Sequence, residues 1–320
     1  MFEALKTKKR SVILDTDIGP DCDDVAALAI LISYAKEFNF PILGVCNCTS
    51  NVYGSATIDA LKSFCGSEDF TVGMYSKPGF YSDHIKYNKY VAEKYSKKYN
   101  EGKLELLPHV TFYRRLLAEA EDDSVVLITI GMFNCLADFL KSEPDEISPL
   151  SGIELVEKKV HALVSMAAVL PAGREFNVIC DYEASKFVFD NFPKPMYLSD
   201  FKVGMSVFTG YDPKCADDHK DDIIFDAYNL YTADWARPGF NRSFDLTAVQ
   251  FACEGEGDIY ALTSPGRLDF FNEDPEKFPN PDATRFVEDE NGKIRFMVKV
   301  ADDKKIEELL QARMDQFYSK

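Results

Sequence analysis

Residues 12–33, VILDTDIGPDCDDVAALAILIS, constrain this chain more than any other stretch. Val12, Ile13 and Leu14 form an apolar run too short for a helix, and Gly19 and Pro20 are turn residues that stop it, so the run reads as a buried strand. A helix follows. Val25, Leu28, Ala29, Leu31 and Ile32 recur at helical spacing, and Asp23 and Asp24 fall at its first turn, where exposed N–H groups and the macrodipole favour negative charge. That accounts for two acids and leaves Asp15 and Asp17 beside them. Carboxylates crowded into one strand-to-helix turn repel one another unless a cation joins them, and hard carboxylate oxygens suit Ca²⁺ or Mg²⁺. A capped helix with solvated acids is the plain alternative, and DxD followed by DD at this spacing favours the metal site.

The same stretch resembles the signature of the inosine/uridine-preferring nucleoside hydrolase family, usually DxDPGxDD, here with a longer turn, DTDIGPDCDD. The resemblance implies that Asp17 and Asp24 bind a catalytic Ca²⁺, that Asp17 deprotonates the attacking water, and that Asp23 holds a ribose hydroxyl. Other segments extend it. SVVLITIGMFNCLADFL (124–140) resembles the family's TGxLTN turn, in which the residue before the glycine, Ile130, offers its carbonyl to the metal. EFN and DYEA (175–184) resemble the EFN…DPEAA segment, which assigns Glu175 and Asn177 to the ribose; their alternation predicts an extended stretch with both side chains on one side. RPGFNRSFDLTAVQFAC (237–253) resembles the late HDxxAV segment, with Asp245 as the last carboxylate on Ca²⁺ and Phe244 where many members have a catalytic His.

Between these matches, strand and helix patterns alternate. PILGVCNCTSN (41–51) reads as a strand and ATIDALKSF (56–64) as the helix after it, which implies parallel strands joined by crossovers. Ligands of such sheets bind beyond the carboxyl ends of the strands, where Asn51 lies, and the family resemblance implies a ribose contact for it, a turn Asn being the plain alternative. Further expectations are a strand at 70–74, helices at 84–100 and 109–121, a strand at 160–166, two short strands in 196–210, a helix at 219–235, a terminal strand meander, and a last helix with Ile306, Leu309, Leu310, Met314 and Phe317 on one face. His84, Tyr228, Tyr231 and Trp235 are candidate contacts to a base or leaving group; for the three aromatics, a core stripe is the competing reading. The family's GGN before the 175 loop is replaced by Ala167, Ala168 and Val169.

Composition narrows the partners. A formal charge of −17 and a pI near 4.7 would repel nucleic acid and anionic membranes, while a neutral ribonucleoside is easily accommodated. The eight cysteines form no CxxC pair and read as reduced, buried small residues, and MFEALKTKKR has no signal-peptide core, so a cytoplasmic protein is expected. The expectation is a single α/β domain over 1–320 with a doubly wound, mostly parallel sheet, a short extension at 1–10 and terminal strands and helix at 257–320. Its expected activity is Ca²⁺-dependent hydrolysis of the N-glycosidic bond of ribonucleosides, in a homo-oligomer by family resemblance. Two alternatives stand beside it: a catalytically silent Ca²⁺-dependent ribose-binding protein, and a haloacid-dehalogenase-like phosphatase with Asp15 as nucleophile.

Overall fold

The computed structural model describes residues 2–64, 66, 70–234, 236–274, 276–277 and 281–318. The strands are β1 (Ser11–Thr16), β2 (Ile42–Asn47), β3 (Thr71–Met74), β4 (Leu107–Pro108), β5 (Val125–Thr129), β6 (Val160–Met166), β7 (Ala172–Gly173), β8 (Met196–Ser199), β9 (Phe208–Gly210), β10 (Phe240–Arg242), β11 (Tyr260–Leu262), β12 (Gly266–Phe271), β13 (Ala283–Glu288) and β14 (Ile294–Lys299). One sheet runs in the order β4-β3-β2-β1-β5-β6-β8-β14-β12-β13-β7, with β11 also on β14, and β9 and β10 make a separate ribbon. From β4 to β14 all neighbours are parallel; β12, β13, β7 and β11 join antiparallel.

Alternation along the strands feeds two cores. Val12 and Leu14 of β1 and Val126 and Ile128 of β5 pack with the helices Asp23–Phe38, Val52–Phe64, Phe244–Glu254 and Asp303–Gln316. Ile13, Val125 and Leu127 face the other way, onto the helices His109–Glu119, Asn134–Leu140, Gly152–Lys159 and Tyr182–Asn191. Both faces are thus covered, as a parallel sheet requires. The helix Asp23–Phe38 is buried on every side from Asp23 to Tyr34, so its first-turn acids are enclosed along with its apolar residues.

The chain order reverses beside β1. The chain adds β2, β3 and β4 on one side of β1, then returns to lay β5, β6 and β8 on the other. In open α/β sheets such a switch point opens a crevice at the carboxyl ends of the strands. Asp17 follows β1 and Ile130 follows β5, so both stand at that crevice.

Several elements differ from expectation, most of them through a capping side chain. Residues 201–205 are helical, because Asp200 accepts from Val203 N at 3.1 Å and starts the helix Phe201–Met205. Ser96 divides 84–100 into Tyr87–Tyr95 and Lys97–Asn100, its hydroxyl accepting from Tyr99 N at 3.2 Å. Asp222 accepts from Phe225 N at 2.8 Å and begins a helix, Ile223–Leu230, shorter than 219–235. Glu175 caps the short helix Phe176–Ile179, so Asn177 is helical and the extended stretch does not form. The terminal strands are not a simple meander, since β14 inserts between β8 and β12. Leu309 is 39% exposed and leaves the buried face of the last helix to Ile306, Leu310, Met314 and Phe317. Cys215 is exposed and Cys180 half-buried, whereas Cys22, Cys46, Cys48, Cys135 and Cys253 are buried thiols; Cys65 lies outside the described residues. No helix among the described residues is long and apolar enough to cross a membrane.

Gly131 sets the closeness of β5 to β1 at the crevice. A Cβ on it would stand 2.6 Å from Asp17 N and 2.7 Å from Cys48 Sγ, so the need is for space and not for an unusual backbone angle. Gly131→Ala is expected to destabilise the protein by about 1–3 kcal/mol through overpacking, measured by urea denaturation. Gly257→Ala is the control, since its Cβ would meet nothing within 4 Å. Equal stability of the two variants would contradict this account.

Candidate active site

The crevice leads into a cavity of about 410 Å³ lined by Asp17, Pro20, Asp21, Asp23, Asp24, His84, Lys86, Ile130, Met166, Glu175, Phe176, Asn177, Phe201, Met205, Arg242, Phe244 and Asp245. Its volume suits a small organic ligand. The sequence therefore converges from six places: the strand-helix turn after β1, the loop before Tyr87, the end of β5, the end of β6 with the helix after it, the helix Phe201–Met205 after β8, and the turn from β10 into the helix Phe244–Glu254.

One part of the wall is acidic and almost sealed from bulk water. Asp23 and Asp24 are 1% exposed, Glu175 4%, and Asp17 and Asp245 5%. Carboxylate oxygens of Asp23, Asp24 and Asp245 lie within 4.8 Å of one another. The peptide N–H of Asp245 donates to Asp23 Oδ2 at 3.0 Å and thereby ties the two helix starts together. The Thr16 hydroxyl donates to Asp24. Asp17 is outside this tight trio, but its charge adds to that of Asp23 in raising Asp24.

Burial dominates the electrostatics here. It pushes Asp17 up to about 8, with Asp21, Glu175 and Asp15 adding repulsion. Asp23, Asp24 and Asp245 are held well above the ordinary carboxylate range, first by burial and then by neighbouring carboxylates, Asp21 chiefly for Asp23, Asp17 for Asp24 and Asp23 for Asp245. Protons or a cation must neutralise such a group. The donors of the trio are all oxygen, with no His or Cys among them, and this set fits Ca²⁺ or Mg²⁺ rather than Zn²⁺.

Glu175 and Asn177 are fixed from behind. Glu175 accepts from the peptide N–H groups of Asn177 at 2.8 Å, Val178 at 3.1 Å and Ala168 at 3.2 Å, while burial still raises it to about 7. The Asn177 amide donates to Met166 O at 3.2 Å and reaches Ile130 O at 3.4 Å. Apolar side chains share the lining with the acids. Phe201 and Phe244 stack with centroids 5.1 Å apart and planes at 20°, and Phe176, 45% exposed, forms another edge. The arrangement can hold a polar, hydroxyl-rich group at one end and a flat apolar ring at the other.

Asp17, Asp23, Asp24, Ile130, Glu175, Asn177, Asp245, His84 and Phe244 all line the cavity. Asn51 does not: its amide donates to His84 O at 2.9 Å and its carbonyl accepts from Tyr53 N at 2.9 Å, so it caps a helix and tethers the His84 loop. Tyr228 is buried behind the wall with its hydroxyl 3.1 Å from Thr209 Oγ1. Tyr231 also lies behind it, under Lys86 Nζ at 4.9 Å. Trp235 lies outside the described residues. Asp15 is absent from the wall and accepts from the Tyr113 hydroxyl at 2.6 Å, which removes the phosphatase nucleophile of the alternative reading.

Sequence reasoning passed over Asp21, Lys86, Met166, Phe176, Phe201, Met205 and Arg242, which also line the cavity. Asp21 was inside the aspartate motif and Arg242 stands three residues before Asp245, so both carried a positional signal. Asp21 accepts from the Asn241 amide and from Cys22 N at 2.7 Å. The others had none, since tertiary folding alone brings them to the crevice.

Residues 12–251 match the family model of the inosine-uridine preferring nucleoside hydrolases. No curated protein sequence matches the chain. The chain is similar in structure to a purine-preferring ribonucleoside hydrolase from Gardnerella vaginalis, with a TM-score of 0.67 and 16% identity over 97% of this chain and 100% of that one. It is likewise similar to an inosine-guanosine nucleoside hydrolase, at 0.67 and 17% over 97% and 98%, and to a plant nucleoside hydrolase, at 0.65 and 15% over 95% and 98%. At these identities the structural likeness speaks for the fold alone. The family match runs from β1 through the helix that carries Asp245, and by it the chain belongs to the inosine-uridine preferring nucleoside hydrolases, a family of N-ribosyl hydrolases.

Proposed function

We propose that this protein is a Ca²⁺-dependent hydrolase of the N-glycosidic bond of ribonucleosides. One observation carries the reading: five buried carboxylates and a stacked aromatic pair line a single cavity. Asp17, Asp24, Asp245 and the Ile130 carbonyl would hold the ion. A bound Ca²⁺ would supply a positioned water of lowered pKa and a charge that keeps its carboxylate ligands ionised. The remaining chemistry belongs to the chain.

Asp23, Glu175 and Asn177 bind and orient the ribose hydroxyls. Glu175 keeps its carboxylate fixed through three peptide N–H groups, so little reorganisation is needed when substrate enters. Asp17 takes the proton from the attacking water. The water oxygen bonds to C1′, the C1′–N bond breaks, and its electron pair leaves on the base. The sugar centre passes through an oxocarbenium-like state, as in other glycoside hydrolyses. Phe201, Phe244 and Phe176 exclude water around the base. His84 lines the wall and is the donor to the departing base in this reading, its Nδ1 buried without a hydrogen-bond partner; Phe244 can only stack.

Asp17→Asn should preserve the fold and lower kcat by more than about a hundredfold, since a positioned base contributes on that order. Steady-state assays on a panel of ribonucleosides, with chromatographic detection of free base, decide it. Activity within about tenfold of the parent, roughly 1.4 kcal/mol of barrier, would mean that another group is the base. The second prediction separates the leaving group from the sugar. His84→Ala should lower kcat/KM for inosine about a hundredfold while p-nitrophenyl riboside, whose phenolate needs no proton, stays within about tenfold. Equal losses on both substrates would remove His84 from the leaving-group role.

A further inference from the structure

A second cluster of metal-ligating side chains lies beneath the cavity and forms no part of its lining. Asp15 of β1 and Cys46 of β2 are partners in the parallel register, so both side chains leave the sheet on one face, and Cys135 comes from the first turn of the helix Asn134–Leu140 that covers that face. One carboxylate oxygen of Asp15 and the sulfurs of Cys46 and Cys135 lie within 4.8 Å of one another. The trio is closed to water, with Asp15 1% exposed and both thiols fully buried. The Tyr113 hydroxyl donates to Asp15 Oδ2 at 2.6 Å, whereas Oδ1 is buried with no hydrogen-bond partner. A carboxylate oxygen left unmatched in a protein core is costly, and its lone pairs remain available to a ligand.

The spacing of the sulfurs identifies the class of ligand. Cys46 Sγ lies 3.9 Å from Cys135 Sγ, and two thiolates on a tetrahedral Zn²⁺, each bonded at about 2.3 Å, stand about 3.8 Å apart. Asp15 Oδ1 adds a third donor, and the Tyr113 bond to Oδ2 fixes the carboxylate as an outer-shell partner does at a metal. Cys48 is a further neighbour of Asp15. Its N–H donates to Thr16 O at 2.9 Å, so the extended run continues past Cys46 and alternation returns residue 48 to the same face. We propose that Asp15, Cys46, Cys135 and Cys48 form a closed structural site for one Zn²⁺, separate from the oxygen-lined cation site of the cavity. Binding displaces the thiol protons to solvent and leaves the cysteines as thiolates. Three sulfur donors select a thiophilic ion and discriminate against Ca²⁺ and Mg²⁺. Cys48 Sγ and Asp17 N stand against the same glycine, Gly131, so the ion would brace the turn that carries the cavity acids from behind.

Metal content and spectroscopy of the full-length chain test this. The protein is refolded under reductant with excess Ca²⁺ and one equivalent of Zn²⁺ or Co²⁺, then desalted. The parent should retain about one Zn²⁺ per chain, and its Co²⁺ form should show a near-ultraviolet thiolate-to-metal charge-transfer band. Cys135→Ala should lower retained zinc by about tenfold or more and abolish the band, because a structural site does not survive loss of a ligand. Cys46→Ser should do the same, and it serves as the second variant should Cys135→Ala fail to fold. Metal analysis of parent and variants purified from zinc-supplemented cells repeats the comparison without refolding. A parent that retains no Zn²⁺, a Co²⁺ form without the thiolate band, or equal zinc in parent and variants would overturn the proposal and leave the thiols as core packing. None of these readouts uses riboside hydrolysis, so their failure is distinguishable from failure of the catalytic reading.

Discussion

Burying carboxylates together is the constraint on which the rest of this structure depends. Asp17, Asp23, Asp24, Asp245 and Glu175 lie at 5% exposure or less around one cavity, and an uncompensated carboxylate in such surroundings is costly by several kcal/mol. The fold is arranged to bring them there. The helix Asp23–Phe38 is buried from Asp23 to Tyr34, so its first turn has almost no contact with bulk water, and the helix Phe244–Glu254 begins where the Asp245 peptide N–H meets Asp23. Two helix N-termini thus point their exposed N–H groups at one cluster of negative charge, a favourable but partial compensation. The divalent cation proposed for this site would supply the remainder and so link stability to catalysis at one point.

Sheet topology explains why the acids come from distant parts of the chain. The reversal of strand order beside β1 opens the crevice between the ends of β1 and β5, and each crossing of the sheet delivers one short turn to it. Tight packing there leaves no slack. Gly131 lies against the Asp17 backbone, and Asn177 reaches both the β5 and β6 ends through Ile130 O and Met166 O. The apolar lining of the cavity is built differently, from side chains of the short capped helices Phe176–Ile179 and Phe201–Met205 and from the turn after β10, which are the irregular parts of the fold.

The legibility of the site follows the same division. Asp17, Asp23 and Asp24 stood out because a turn that gathers acids leaves a dense pattern in the sequence, whereas Glu175, Asn177 and Asp245 were named only through their resemblance to the family's EFN and HDxxAV segments; all six line the cavity. The parallel, two-faced sheet was legible for a similar reason, as apolar runs alternate with helical spacing through residue 140. Phe201 and Met205 were not legible, since isolated residues at a cavity wall have no periodicity of their own. Asn51 shows the opposite error: an Asn at a strand end is as well suited to capping a helix as to binding sugar, and Tyr53 N takes its carbonyl. Capping acids were also underweighted, which is why Asp200 and Asp222 moved the boundaries of the elements that follow them.

Thermal stability against pH, in chelator and in Ca²⁺, tests the central claim most directly. In the metal-free chain Asp17 is raised to about 8, and Asp23, Asp24 and Asp245 stand well above their unfolded value, near 3.8. The folded state then keeps protons that the unfolded state releases, so this stabilisation is present below about pH 4 and is lost as pH rises through the folded values. The account predicts that Tm in chelator falls as pH rises from about 5 to 8. Saturating Ca²⁺, which favours the ionised acids, should remove or reverse that fall and raise Tm most at the alkaline end. A Tm in chelator that stays level or rises over this range, or one that Ca²⁺ leaves unchanged at pH 8, would contradict it.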